Sequence, residues 1–273
     1  MSGDPLAVVA PYGSRPAAGA AGGVLSGCYP SPGYGVGFGG FTLYDDFMGR
    51  ITKGSIQTSL PWDEYEAGGG LTIVGATSTT TEIGVLRLAP TVTAGFPLAS
   101  GQLYLADADF INGVPAGIMF GAKVRAYAVP STLYPVFWAG WISDETISPL
   151  PGNTVNFVGI RARSNGTNIQ WYGLVKDGAG LGNETTVDLG YAFDTTWRTL
   201  GFRVTTTGIQ FMQFDLSGMP VYGWLGTDIG AEVTTNVPTG TLKPIAVGAD
   251  NTTNLATGSI EIDLWSTAGS IAR

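Results

Sequence analysis

Glu261 and Asp263 stand two residues apart in SIEIDLWSTAG, residues 259–269, with Trp265 two positions further on. Side chains two apart on an extended strand share one face, so the two carboxylates stand side by side. Retaining glycoside hydrolysis uses two carboxylates about 5 Å apart, one protonating the leaving oxygen and the other attacking the sugar. The spacing therefore asks whether this strand reacts with a polysaccharide or only closes a sheet. Strict alternation puts Ile260, Ile262 and Leu264 on the core face and Glu261, Asp263 and Trp265 on the other. On that reading the acidic pair is a solvated or hydrogen-bonded strand face.

Other chemistries fall away by residue type. The 273 residues include no histidine, which removes histidine-based triads, histidine metal centres and imidazole acid–base catalysis. Asp45-Asp46, Asp107-x-Asp109 and Asp250-Asn251 are the candidate calcium ligands, but none lies in a D-x-[DN]-x-[DN]-G loop. Turn-capping is the expected role of these side chains. Gly35-Val36-Gly37 and similar pairs never fall between a strand and a helix start, so they form no phosphate loop. The single cysteine, Cys28, has no internal disulfide partner and reads as a small apolar filler. No metal and no cofactor is expected.

With 13 basic and 21 acidic residues the net charge is −8, which leaves no electrostatic footprint for a phosphate backbone. Nucleic acid is not an expected partner. The opening MSGDPLAVVAPYGSRP has an acidic residue and prolines where a secretory signal carries a basic start and an apolar core. No window approaches the roughly 18 apolar residues of a membrane-spanning helix. A soluble chain without membrane insertion is expected.

The elements that would carry these side chains are strands. Charged residues make up 12% of the chain and there are 42 glycines, while runs of strong helix formers are missing. Short β-prone runs separated by turn clusters occupy 41–47, 71–75, 82–88, 117–127, 135–142, 155–163, 168–176, 185–191, 198–205, 208–215, 220–225, 243–248 and 258–266. Asn165-Gly166 and Gly208 supply hairpin turns and so predict antiparallel neighbours. Both faces of 135–142 are apolar, which predicts a strand covered on both sides. Only short stretches such as TDIGAEV suit a helix.

Residues 1–40 differ from the rest. They combine Gly, Pro and Ala with almost no charge and no period of 2 or 3.6, so an extended arm is expected. An arm exposed to water is usually polar, whereas this one carries Val8, Val9, Tyr12, Val24, Leu25, Tyr29, Tyr34, Val36 and Phe38. These apolar groups need a surface, either a neighbouring subunit or the arm's own domain. The expected organisation is an arm at 1–40, a β-sandwich at 41–268 and a short tail at 269–273.

The order of FTLYDDF, GGGLTI, WRTLGFRV, GIQFMQFD and SIEIDLW resembles a concanavalin A-like jelly roll of the laminin-G and legume-lectin type, over residues 41–268. The resemblance implies an all-β, two-sheet antiparallel sandwich with first and last strands adjacent and one curved sheet giving a concave surface. Lectins, laminarinase-type glycosidases and many bacteriophage virion proteins share that fold. Against the laminarinase signature E-x-D-x-(x)-E, Glu261 and Asp263 match, but the second glutamate is missing: the next positions are Leu264, Trp265, Ser266 and Thr267. The expected function is therefore non-enzymatic: a virion structural protein, such as a head decoration or cement protein, made in the host cytoplasm. Its expected partners are its own subunits, in a homo-oligomer such as a trimer, and a major capsid or other virion protein. A tail-fibre or adhesin domain binding host glycan is the alternative, with Trp138, Trp141, Trp171 and Tyr172 as candidate stacking residues beside their other reading as core.

Overall fold

In the computed structural model of the chain, the residues described are 40–45, 50–52, 55–57, 62–67, 71–74, 85–90, 99–105, 111–112, 116–129, 136–143, 155–180, 182–214, 226–251 and 258–270. They contain strands and no helix. The arm residues Val8, Val9, Tyr12, Val24, Leu25, Tyr29, Tyr34, Val36 and Phe38, together with Cys28 and the expected strand 220–225, lie outside the described residues.

One eight-stranded sheet contains β1 (Gly40–Asp45), β5 (Leu71–Val74), β6 (Leu86–Pro90), β9 (Met119–Ala128), β14 (Arg198–Val204), β15 (Ile209–Phe214), β16 (Gly226–Val233) and β18 (Ser259–Ser270). Its order is β16-β15-β14-β9-β18-β6-β5. The long β18 divides its free edge: Ile260–Ile262 pair with β6, and Trp265–Ser270 pair with β1. The first described strand and the last thus lie side by side, as expected.

The second eight-stranded sheet contains β4 (Trp62–Ala67), β7 (Ala99–Leu105), β8 (Ile111–Asn112), β10 (Val136–Ile142), β11 (Asn156–Ser164), β12 (Ile169–Asp177), β13 (Glu184–Ala192) and β17 (Thr241–Asn251). Its order is β13-β12-β11-β10-β17-β7-β4, with β8 paired to one end of β17. A separate hairpin joins β2 (Arg50–Thr52) and β3 (Ser55–Gln57). All of these pairings are antiparallel.

The core between the sheets follows from period-2 alternation. Leu200, Phe202 and Val204 of β14 point inward with Phe120 of β9 and Phe211 of β15. They meet Phe137 and Trp141 of β10, Ile160 of β11 and Trp171 of β12. Burying each such side chain contributes about 1.5–3 kcal/mol. Phe193, just beyond β13, stacks on Phe137 at 5.3 Å between ring centroids.

The two turns read from sequence are present. Gly166 takes φ 94° between β11 and β12, and Asn165 Oδ1 accepts from the backbone N–H groups of Thr167 and Asn168 at 2.9 and 2.8 Å. Gly208 ends the turn from β14 to β15, where the Thr205 N–H donates to its carbonyl at 2.9 Å. Strand 136–142 is covered on both sides: Phe137 and Trp141 join the main core, while Trp138 and Ile142 join a second apolar cluster.

Two expectations are corrected. TDIGAEV is not helical: it forms most of β16, an edge strand paired on one side with β15. A segment this short, without an apolar stripe, gains more from a ladder than from an isolated helical turn. Strict alternation also fails in β18. The register shifts between Ile262 and Leu264, so that Ile262 opposes Val124 and Leu264 opposes Lys123. The extra residue, Asp263, reverses parity from there on. Trp265 consequently enters the core, while Leu264 is only half-buried.

Candidate functional site

The sheet register explains where Glu261 ends up. On β18 it lies between Arg87 of β6 and Arg125 of β9, as cross-strand partner of both. Ile260 and Ile262 point to the core, so Glu261 points to the outside of the first sheet, yet its side chain is only 2% exposed. Arg87 donates from Nε and Nη2 to Oε1 at 2.9 and 2.6 Å. Arg125 donates from Nε to Oε2 at 2.7 Å, with Nη2 2.6 Å from the same oxygen. Of the two expectations for this face, solvated or hydrogen-bonded, it is the hydrogen-bonded one that is found, as a buried ionic row.

Aromatic rings and a second pair extend that row. Arg87 lies over the ring of Tyr127, its Cζ 3.2 Å from the centroid, and Arg125 lies over Trp197 at 4.3 Å. Lys123 also approaches Trp197, at 5.0 Å, and forms an ion pair with Asp263. Each oxygen of Glu261 faces one guanidinium fork, an arrangement that fixes a carboxylate in place. Nucleophilic attack or proton donation by Glu261 would require one fork to leave. The two positions that would hold a second acid are filled by core Trp265 and buried Ser266.

The outside of the second sheet carries a different set. Its register lines up Trp138 of β10, Arg161 of β11, Tyr172 of β12 and Asp188 of β13 in one row. Two residues further along the strands the row is Gly140, Gly159, Leu174 and Thr186, and beyond it Ile142, Phe157, Lys176 and Glu184. At Gly159 the chains approach so closely that a Cβ would lie 2.2 Å from the Ala139 carbonyl oxygen. The Phe157 ring covers the same glycine, at 2.7 Å from that Cβ position.

Charge on this face is concentrated around Glu184, whose Oε1 is 3.8 Å from Arg161 and 3.9 Å from Arg163. Burial pulls the Arg161 guanidinium down to a pKa of about 10, opposed by the Glu184 carboxylate and reinforced by neighbouring Arg163. Burial likewise lowers the Lys176 ammonium below its ordinary value. The Tyr172 hydroxyl donates to Gln170 Oε1 at 3.2 Å.

The four candidate stacking residues separate. Trp141 and Trp171 lie in the sandwich core. Trp138 faces outward but is fully buried, packed with Ile142, Val155, Phe157 and Leu174. An indole with no exposed face has none to offer a sugar, so the stacking expectation is corrected for all three tryptophans. Tyr172 is half-buried on the outer face and keeps a polar edge.

Among the described residues no group of three acidic or cysteine side chains is placed to hold a metal ion. Of the candidate calcium ligands, Asp46, Asp107 and Asp109 lie outside the described residues, while Asp45, Asp250 and Asn251 lie on β1 and β17. Sequence reasoning missed Arg87, Lys123, Arg125, Arg161 and Glu184. The available signal was basic residues at outward positions of runs already recognised as strands, LRL, KVRAY and IRAR.

No family model matches this chain, and no curated protein sequence does. Solved structures do. A protein of unknown function from Shewanella oneidensis MR-1 is 16% identical, with a TM-score of 0.55, covering 88% of this chain and 91% of its own. The Emp47p carbohydrate recognition domain is 14% identical, with a TM-score of 0.50, covering 84% of this chain and 95% of its own. A β-1,3-glucanase from Mycobacterium marinum is 13% identical over 82% of this chain and 97% of its own, at a TM-score of 0.49. At these identities the likeness concerns the fold alone. The chain has the concanavalin A-like fold: two antiparallel sheets packed as a jelly-roll sandwich.

Proposed function

We propose that this chain is a non-catalytic structural protein of a bacteriophage virion, a head decoration or cement protein whose residues 1–40 bind neighbouring subunits. The observation that carries the non-catalytic part is the Arg87–Glu261–Arg125 row, in which the most reactive-looking carboxylate ties three strands together. What supports an assembly role is the sequence of residues 1–40, nearly uncharged yet carrying Tyr12, Tyr29, Tyr34 and Phe38. In this reading the subunits form a homo-oligomer, and residues 1–40 contact a neighbour or the capsid. Deleting residues 1–38 and measuring incorporation into particles tests it: incorporation should be lost while the sandwich stays folded. Unchanged incorporation would rule the arm out as the attachment.

A second reading is an adhesin that binds host glycan on the outside of the second sheet. Gln170, Tyr172, Arg163 and Glu184 favour it, because they place amide, hydroxyl, guanidinium and carboxylate groups on one face. A glycan array probed with the natural chain and with Tyr172→Ala separates the two readings. Binding that survives the substitution, or no binding at all, counts against the adhesin.

A further inference from the structure

Arg161 is 3% exposed, and its Nε and Nη2 groups have no hydrogen-bond acceptor. These two N–H groups form one edge of the guanidinium, the edge that grips a carboxylate side-on. Arg87 presents the same two nitrogens to Glu261 at 2.9 and 2.6 Å. For Arg161 the Glu184 carboxylate stands 3.8 Å from Nη2, too far for a hydrogen bond. Its cross-strand neighbour Trp138 is also fully buried, and the Trp138 Nε1–H has no acceptor either. Side chains paired in this way have Cβ atoms about 5 Å apart. Three buried donors without a hydrogen-bond acceptor are therefore carried by two cross-strand neighbours on adjacent strands.

Polar groups buried in this way are normally satisfied, and a buried cation is strongly penalised unless it is hydrogen-bonded. The surroundings favour one negative charge. Arg161 and Arg163 share one close carboxylate, that of Glu184, at 3.8 and 3.9 Å. We propose that the Nε/Nη2 edge of Arg161 and the Nε1–H of Trp138 bind the carboxylate of a small organic acid on the outside of the second sheet. Two parallel N–H groups match a planar pair of oxygens, and the nearby Glu184 charge selects a monoanion over a dianion. The site is independent of the virion reading; it lies on the face the adhesin reading uses and shares Glu184 and Arg163 with it, but the donors of Arg161 and Trp138 are its own.

The test uses the full chain labelled with nitrogen-15, with the Trp138 indole resonance assigned by its loss in Trp138→Phe. Sodium acetate and sodium glucuronate are titrated to about 50 mM, a range that detects millimolar affinity. Sodium chloride, sodium phosphate and glucose are titrated in parallel. The expected result is a saturable shift of the Trp138 indole with both carboxylates and none with chloride or glucose. Tighter binding of glucuronate would identify a sugar acid as the source of the carboxylate, and equal binding a simple acid. Arg161→Met should abolish the shift in a folded chain. Arg161→Lys, which keeps the charge but loses the fork, should weaken binding by about tenfold. The proposal is overturned by no shift with either carboxylate, by an equal shift with chloride or phosphate, or by a shift that persists in Arg161→Met.

Discussion

Trp265 of β18 meets Trp62 of β4 edge to face across the sandwich, with ring centroids 5.0 Å apart and planes at 88°. The contact joins the last strand of the first sheet to an edge strand of the second. It exists because the bulge at Asp263 turns Trp265 inward, where it also touches Phe120 at 5.9 Å.

The consequence is a reversal of the usual expectation for adjacent residues. Trp265→Ala should cost about 3–5 kcal/mol of folding stability, the usual loss for a large buried aromatic. Leu264→Ala, at a half-buried position, should cost clearly less. Urea unfolding of both variants checks this. A larger loss at Leu264 would restore strict alternation and remove the bulge from the account.

Glu261→Gln should destabilise the chain by about 3 kcal/mol, because it leaves two guanidinium groups without their shared carboxylate. Its effect should be on unfolding free energy, with no turnover of β-glucan by either protein. Turnover by the natural chain that disappears in Glu261→Gln would instead assign chemistry to this carboxylate.

Glu232 supplies a pH-dependent contribution. The hydroxyls of Thr205 and Thr207 donate to its carboxylate, that of Thr207 at 2.6 Å, and these bonds hold its pKa below the ordinary value, Thr205 contributing most. A carboxylate whose folded pKa is depressed stabilises the fold above its unfolded pKa, and that contribution is lost as pH falls through the folded value. Carbon-13 NMR titration should find Glu232 below an ordinary glutamate, and Thr205→Val should move it back up. A Glu232 that titrates normally in the natural chain would contradict the hydrogen-bond assignment.

Local features were legible in the sequence. Asn165-Gly166 fixes a tight turn by local preference and the Asn165 side-chain bonds, and the alternating Leu200, Phe202 and Val204 fix the inward face of β14. The bulge at Asp263 was not, because it depends on how β18 registers with Val124 and Lys123 on β9. Nor was the ionic row: Arg87 and Arg125 are 174 and 136 positions from Glu261, and only the sheet order brings them together. Strands β4 and β7 escaped notice, and β16 was read as helical, because WDEYEA, ASGQLYL and GTDIGAEV lack a continuous β-branched run. For Trp138, the apolar character of both faces of β10 anticipated burial, while the missing hydrogen-bond acceptor of its neighbour Arg161 depended on cross-strand placement.

The central claim is that the sandwich is a scaffold and that attachment resides in residues 1–40. The most direct measurement compares the full chain with a chain lacking residues 1–38, quantifying each in particles purified by density-gradient sedimentation. With unfolding curves confirming an intact sandwich in both, the account predicts retention of the full chain and loss of the shortened one. Equal copy numbers of the two chains in purified particles would contradict it.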